Sequence, residues 1–499
     1  MPFPISDKNL TDINRTAIQP AVSGSSASVW GTEIIQEDSG IVLEKTKPVA
    51  APDKEPSPEE LHNQNINKLK AKNIDTAPFE TEFKALCKDK NYSFAGYSPE
   101  IFVDYQDNIL KLLSNKNNFE MPPELLKNRD LSKNPDKIET EKVSSELFGE
   151  FTVINLTYNE PDGVRTVTLR PHMFDYTEKK ETTEHSLEFS YKPIECFARV
   201  DDKLTKDSTY MFDNYSNGKI INRSQTTTYA DGSVQTSERT FRDKKAVCEV
   251  VSFENSAEHL TELHILNKDG TKTSYALPSR KNLSENSYEE TCDGKTYTVT
   301  RKDGVFTVKE QGSEDIQIID ADEFVNPDNP DSSERLFYIM YDLPVQVLKD
   351  LDTECVSLSY IGDVDGIDKN TAGEYSGDDD SIVSGSNYLT LIHETGHALD
   401  FRPIEYNDSS AASDKKYMKV FNEELKQYKK KGNKIYSGQG DYDTYCTKNE
   451  VEMFAECYTL LSNGKCNSKA VIAAYFPRTL AEAKRIIDFN RSLPDEERR

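Results

Sequence analysis

The chain has 499 residues, of which 35% are hydrophobic, 10% aromatic and 30% charged, and its formal net charge is −26. Such an acidic chain repels phosphate backbones and anionic membrane surfaces, so we expect no nucleic-acid partner. No run of about 18 apolar residues is present, so no membrane span is expected. The aromatic content is too high for a wholly disordered chain, and the length allows several domains.

The first 140 residues form two segments with different sequence patterns. Residues 1–60 are rich in Ser, Thr, Pro and Asn with little periodicity, which predicts a disordered tail and linker. Residues 61–140 predict a small helical region, because the apolar residues of 101–113 recur at helical spacing.

From residue 141 to 325 the pattern is that of strands. Apolar and β-branched residues alternate, and Asp-Gly turns separate the runs at 161–163, 230–232, 268–270, 292–294 and 302–304. Because Asp-Gly supplies the positive φ angles of tight turns, we predict a β-rich domain of hairpins. The histidines of this region have no metal-ligand spacing, so we expect them to be structural or at the surface.

Residues 326–499 have a mixed pattern. The predicted strands are LFYIMY (336–341), CVSLSYI (355–361) and SIVSG (381–385). Pro344 suits the first turn of a helix over VQVLKDL. Further helices are predicted over 387–401, 413–431, 448–462, 468–475 and 479–492. Capping boxes are predicted at Thr447–Glu450 and Thr479–Glu482, and helix ends at Gly432 and Gly464.

The stretch LTLIHETGHALD (389–400) places two histidines four residues apart on a predicted helix. Positions i and i+4 share a helix face, so His393 and His397 can both reach one ion at about 2.0–2.1 Å. Glu394 follows directly and is close enough to serve as general base on a water at that ion. Gly396 has no side chain and allows another element to approach closely. This HExxH motif predicts one zinc ion per chain.

A catalytic zinc takes a third protein ligand. The residue six positions past His397 is Pro403, which cannot bind a metal. The helix predicted within 449–461 offers Glu452 and Glu456, four residues apart on one face. One of them is expected to bind the metal, and the other to hydrogen-bond a ligand and fix its orientation.

Several alternatives remain open at this site. Cys446 and Cys457 are rival ligands, although thiolates suit closed structural sites better than hydrolytic ones. Asp400 can either orient a histidine or cap the helix end. A phenol near the metal can donate to the oxyanion of a tetrahedral intermediate; both Tyr445 and Tyr442 are candidates for that role, with ordinary packing as the alternative for each.

Two motifs together resemble a known family. The segments HETGHALD (393–400) and YCTKNEVEMFAE (445–456) are similar to the catalytic domain of anthrax lethal factor and the related Pro-Pro endopeptidases, the ATLF-like family. The resemblance covers roughly residues 330–499 and implies a zincin fold of gluzincin type. It implies zinc on His393, His397 and Glu452, with Glu394 as base, Tyr445 as oxyanion stabiliser and Glu456 orienting a ligand.

Taken together, these patterns predict a multidomain protein. The predicted parts are a disordered tail (1–60), a helical region (61–140), a β-rich domain (141–325) and a C-terminal α+β zincin (326–499). The expected activity is zinc-dependent cleavage of a protein or peptide substrate. The rival hypothesis is a catalytically idle binding module whose β-rich region binds the partner.

Three further expectations concern the surroundings of the site. The acidic stretches 363–368 and 377–381 favour a basic residue in the substrate, with calcium binding as an alternative. SIVSG is the expected sheet edge for an extended peptide. The polar N-terminus without a usual signal peptide favours a secreted or translocated bacterial effector, with a cytoplasmic protein as the alternative. Eight scattered cysteines predict free thiols.

Overall fold

The computed structural model describes residues 56–88, 98–114, 134–145, 149–193, 195–216, 219–242, 244–255, 259–323, 325, 330–355, 357–361, 372–377, 380–385, 387–400, 414–430 and 445–493. These residues belong to one compact unit, Pro56–Arg499. The predictions for residues 1–55 of the N-terminal tail, the acidic stretch 363–368, Gly432 and Tyr442 lie outside the described residues, whereas residues 58–60 of the predicted tail are helical.

Three short helices come first, as predicted. They are α1 (Pro58–Lys70), α2 (Ala77–Lys88) and α3 (Pro99–Leu112). Ser57 and Glu60 form a capping box at the start of α1, and the Ser98 hydroxyl accepts a hydrogen bond from the backbone N–H of Ile101 at the start of α3. Phe79, Phe102 and other apolar residues of these helices are buried, and they share a core with the first strands of the following sheet.

Twelve antiparallel strands, each paired with the next along the chain, form the large sheet. They are β1 (Lys137–Ser145), β2 (Gly149–Glu160), β3 (Gly163–Arg170), β4 (Asp175–Thr182), β5 (His185–Lys192), β6 (Glu195–Asp202), β7 (Ser208–Ser216), β8 (Lys219–Thr228), β9 (Val234–Arg242), β10 (Lys245–Glu254), β11 (His259–Leu266) and β12 (Lys272–Leu277).

A five-stranded antiparallel sheet follows in chain order. Its strands are β13 (Ser279–Ser284), β14 (Ser287–Cys292), β15 (Lys295–Lys302), β16 (Val305–Glu310) and β17 (Ile316–Asp320). Each of the five predicted Asp-Gly turns joins two consecutive strands of the same sheet, three in the large sheet and two in the five-stranded sheet. Asp293 and Gly294 both have positive φ (49° and 77°), as do Asp303 and Gly304 (50° and 81°), which is the backbone conformation that a two-residue hairpin needs.

The C-terminal region consists of helices around a small mixed sheet. Its helices are α4 (Pro330–Tyr341), α5 (Val345–Glu354), α6 (Tyr388–Asp400), α7 (Lys415–Lys430), α8 (Glu450–Asn463), α9 (Lys469–Tyr475) and α10 (Pro477–Ser492). Its strands are β18 (Ser357–Tyr360), β19 (Gly373–Ser376) and β20 (Ser381–Ser384). In the sheet, β20 pairs parallel with β18 and antiparallel with β19.

Several sequence predictions for this region were wrong. LFYIMY is the end of helix α4, where Leu336, Ile339 and Met340 are buried at helical spacing and Tyr338 is exposed. SIVSG forms β20, which is the central strand of its sheet and so offers no edge. Among the described residues, β19 pairs only with β20 and is the edge strand.

Both predicted capping boxes of this region were also wrong. Asn449, not Thr447, begins α8, and its side chain accepts a hydrogen bond from the backbone N–H of Glu452 at 2.8 Å. Thr479 lies inside α10, and its hydroxyl donates to Glu424 of α7 at 2.7 Å. The predicted helix end at Gly464 is confirmed, with φ of 74°.

Two hydrophobic cores are built on this framework. One joins α1–α3 to the first six strands of the large sheet. The other joins β10–β12, the five-stranded sheet and the C-terminal helices. Among the described residues of β7–β9, the fully buried side chains are Asp213 and Arg223, whose Oδ2 and Nη2 atoms are 2.6 Å apart, while Met211 and Tyr215 of β7 are partly buried against the first core. Within the described residues, no helix is long and apolar enough to cross a membrane.

Candidate metal centre

The two histidines of the HExxH motif meet a carboxylate from the next-but-one helix. His393 and His397 lie on α6, and Glu452 lies in the first turn of α8. Helix α6 can approach α8 because Gly396 has no side chain: a Cβ there would be 3.1 Å from Ala455 Cα and 3.1 Å from Tyr458 Cδ1. The predicted role of Gly396 in close packing is therefore confirmed.

Three atoms converge at this point. Glu452 Oε2 lies 3.2 Å from His393 Nε2 and 3.4 Å from His397 Nε2. Ligand atoms of a tetrahedral zinc ion, at about 2.0–2.1 Å from the metal, are about 3.3 Å apart. The observed separations match that spacing, and two imidazole nitrogens with one carboxylate oxygen are a donor set that zinc accepts. These three residues are partly or fully buried and can hold a metal ion.

Glu456 lies one helical turn beyond Glu452 and contacts the other nitrogen of a histidine. Its Oε1 is 3.4 Å from His393 Nδ1, while its Oε2 accepts a hydrogen bond from Ser468 N–H at 2.9 Å. The Cys466 thiol also donates to Glu456. An acceptor at Nδ1 leaves Nε2 available for a metal. Of the two glutamates, Glu452 therefore belongs to the group that could hold a metal ion, whereas Glu456 contacts the other ring nitrogen of His393.

Neither rival cysteine belongs to the group of possible ligands found among the described residues, which is His393, His397 and Glu452. Cys446 and Cys457 are both fully buried, and burial raises the pKa of the Cys457 thiol well above its ordinary value. All eight cysteines are free thiols, as predicted.

Tyr445 lies beside the same carboxylate. Its hydroxyl donates to Glu452 Oε1 at 3.0 Å, and its ring centroid is 5.7 Å from that of His393. The ammonium of Lys448 stands 3.7 Å from the centre of the Tyr445 ring. Burial, followed by the charge of Glu452, raises the pKa of Tyr445, so the phenol keeps its proton and remains a hydrogen-bond donor.

Glu394 is only 6% exposed. Burial raises the pKa of its carboxyl group, although His393 and His397 oppose that shift. The backbone of β19 runs directly past it: a Cβ at Gly373 would be 3.0 Å from Glu394 Oε1 and 2.5 Å from Thr390 Cγ2. Gly373 thus allows the edge strand to lie against the motif glutamate.

The charges at the centre are strongly coupled. Burial opposes a charge on His393, yet Glu452, Glu456 and Glu394 outweigh it and raise its pKa to about 10. Burial acts against ionisation of Glu452 too, but the two histidines hold the pKa of this carboxyl well below its ordinary value. Without metal, the group is a network of a charged imidazole and carboxylates.

Asp400 is buried at the last position of α6. Burial, with smaller contributions from Cys457 and Asp400, raises the pKa of the Tyr417 phenol well above its ordinary value. The sequence left the role of Asp400 open between orienting a histidine and capping the helix, and both remain predictions.

No protein-family model matches this chain, and the search of curated proteins finds no match either. The site is therefore defined by its own geometry.

Sequence reasoning missed three residues around the centre. Gly373 and Thr390 set the approach of β19, and Ser468 holds Glu456. Gly373 lies in β19, a strand that the sequence did not predict, so its contact with Glu394 was not expected. Nothing in the sequence connects Ser468 to the motif, because the contact depends on how α8 and α9 fold back.

Proposed function

We propose that this protein is a zinc-dependent endopeptidase. The observation that carries the proposal is the convergence of His393 Nε2, His397 Nε2 and Glu452 Oε2 at the spacing of zinc ligands, with Glu394 next to them on α6. A binding module without catalysis would need only the three ligands. The presence of a buried carboxylate beside them, facing an edge strand, favours hydrolysis.

His393, His397 and Glu452 would hold the ion. Zinc bound there supplies Lewis acidity, which polarises a carbonyl group and lowers the pKa of water. Glu394 takes the proton of the attacking water and transfers it to the departing amine. Tyr445, which keeps its proton, donates a hydrogen bond to the oxygen of the tetrahedral intermediate. Glu456 holds the His393 ring through Nδ1.

The edge strand β19 supplies the place for the substrate. An extended peptide that pairs with β19 would run alongside the strand whose Gly373 touches Glu394. Backbone hydrogen bonds along the strand would position the scissile bond near that carboxylate. The strand at the opposite edge of the sheet, β18, is less suitable, since Leu358 already bridges to Val325.

The motif resemblance agrees with this assignment. HETGHALD and the tyrosine seven residues before Glu452 are the features shared with ATLF-like peptidases. We propose on this basis that the C-terminal region has a zincin fold of gluzincin type, with the β19 edge beside the helix that carries the motif.

The test is cleavage of a peptide library by the purified full chain, with and without chelator, compared with Glu394→Gln. The substitution keeps the size of the side chain and removes its basicity. We expect Glu394→Gln to retain one zinc per chain and to lose at least about 100-fold in kcat. A Glu394→Gln protein that cleaves as well as the unmodified chain would refute the assignment.

A further inference from the structure

Six residues around the metal centre form a closed ring of contacts. His393 Nε2 meets Glu452 Oε2, and Glu452 Oε1 accepts from the Tyr445 hydroxyl. Cys446 follows Tyr445 in the chain, and the backbone N–H of Cys446 donates to Ser468 Oγ at 3.2 Å. Ser468 N–H donates to Glu456 Oε2, and Glu456 Oε1 returns to His393 Nδ1. Ser468 is the one member outside both the motif helix α6 and the segment 445–456.

We propose that Ser468 is a positioning residue, which fixes Tyr445 relative to His393 by holding both through its two polar groups. The inference rests on the proposed function, because it concerns the residue expected to stabilise the oxyanion. Its N–H reaches the histidine through Glu456, and its hydroxyl reaches the tyrosine through the Cys446 backbone.

The position of Ser468 in the chain supports this role. It occupies the N-cap of α9, where a serine hydroxyl ordinarily accepts a hydrogen bond from a backbone N–H of the first helical turn and stabilises the helix. Here the side chain makes no such bond, and φ and ψ (−92° and 12°) are not those of an extended cap. The hydroxyl is directed to Cys446 instead. The Ser468 hydroxyl therefore accepts a hydrogen bond from a residue distant in the chain and does not cap its own helix.

Burial makes the link rigid. Ser468 and Cys446 are both 0% exposed and Glu456 is 3% exposed. Water therefore cannot easily replace the Ser468 hydroxyl as the acceptor for Cys446 N–H. The Ser468 contact is made at Cys446, the residue that directly follows Tyr445. Removal of the hydroxyl would remove the bond to the Cys446 N–H beside Tyr445 without altering the Glu456 contact, which uses the Ser468 backbone N–H.

The experiment compares Ser468→Ala, Tyr445→Phe and the double variant in the full chain. Ser462→Ala is the matched control, since Ser462 is also buried but lines a cavity with Cys292 and Arg491. The measurements are zinc content, the visible absorption of the cobalt(II)-substituted protein, and kcat and KM on a cleaved peptide.

We expect Ser468→Ala to bind one zinc, to lose about tenfold in kcat with KM unchanged, and to shift the cobalt spectrum in the same direction as Tyr445→Phe. The double variant should equal Tyr445→Phe alone, because Ser468 acts through that tyrosine. Ser462→Ala should leave all four quantities unchanged.

Two results would overturn the proposal: Ser468→Ala with an unaltered kcat and cobalt spectrum, or effects of Ser468→Ala and Tyr445→Phe that multiply. If Ser468→Ala does not fold, Ser468→Cys, with a weaker acceptor atom, replaces it under the same criteria. If the chain cleaves no peptide, the proposed function fails, while the cobalt spectra still decide the role of Ser468.

Discussion

Gly396 of α6 lies so close to α8 that a methyl group on it would stand 3.1 Å from Ala455 Cα and 3.1 Å from the Tyr458 ring. Both obstacles are fixed. Ala455 contributes backbone, and the Tyr458 hydroxyl donates to the buried Asp350 at 2.8 Å. The distance between these two helices is what brings Glu452 to the histidines.

The first prediction follows from this contact. Gly396→Ala gains about 1 kcal/mol of helix propensity, but overpacking of a fixed contact costs about 1–3 kcal/mol. We expect a net loss of stability and weaker zinc binding, measured by thermal unfolding and chelator competition. Gln427→Ala, on the exposed face of α7, is the control and should be near neutral. Equal or higher stability of Gly396→Ala would show that the helices can separate freely.

The second prediction concerns the third ligand. Glu452→Ala removes the carboxylate that both Nε2 atoms face, so the dialysed protein should contain less than one zinc per chain. Glu450→Ala, in the same first turn of α8, should keep full occupancy. Elemental analysis of the two dialysed proteins measures their zinc content per chain. Full zinc occupancy in Glu452→Ala would assign the third ligand to another residue.

The third prediction concerns the edge strand. Gly373→Ala places a methyl group 2.5 Å from Thr390 Cγ2, so β19 must shift relative to Glu394. Peptide cleavage should fall while zinc content stays at one per chain. Thr390→Ser removes the obstructing methyl group, and the double variant should recover part of the activity. No recovery would mean that the contact with Glu394 itself is decisive.

The fourth prediction tests a buried ion pair behind α8. Arg491 Nη2 lies 2.7 Å from Asp350 Oδ2, and the Asp350 side chain is 0% exposed. Arg491→Met leaves that carboxylate buried without its cation, which should cost about 3–5 kcal/mol in urea unfolding. Asp350→Asn combined with Arg491→Met should cost less. The exposed pair Lys70–Glu80 is the contrast, and Lys70→Ala should cost at most about 1 kcal/mol.

The fifth prediction uses the thiols. Burial raises the pKa of Cys292 and of Cys355 to about 12. At pH 8 only about one in 10⁴ of such thiols is ionised, and the thiolate is the reactive form. Cys87 is exposed, so iodoacetamide should label it long before either buried thiol, as followed by peptide mass spectrometry. Equal labelling rates in the native protein would contradict the described burial.

Local chemistry explains which parts of the fold were predictable. The Asp-Gly turns were, because positive φ is a property of the turn residues themselves. LFYIMY was not: its apolar letters fit a strand as well as a buried helix, and only the packing of Leu336 and Met340 in the core decides. Thr447 and Thr479 resembled caps, yet in the fold Asn449 begins α8 and Thr479 donates to Glu424.

The same distinction holds at the metal centre. His393, His397 and Glu394 were predictable because the spacing within one helix fixes their direction. The pairing of Glu452 with them required a second motif 59 positions beyond His393. The tertiary contacts of Gly373 and Ser468 have no counterpart in local spacing, so only the folded arrangement of β19 and the α8–α9 turn shows them.

Strands β7–β9 connect the two hydrophobic cores as part of one hydrogen-bonded sheet, and their described hydrophobic side chains are at most partly buried. A ladder of this kind is stiff across its strands, with about 4.8 Å per step. From β6 to β10 the offset is therefore about 19 Å, set by strand number alone. A partner bound by the N-terminal helical core would be held at that distance from the core that contains the candidate metal centre, and adding or deleting one hairpin would change the distance by about 10 Å.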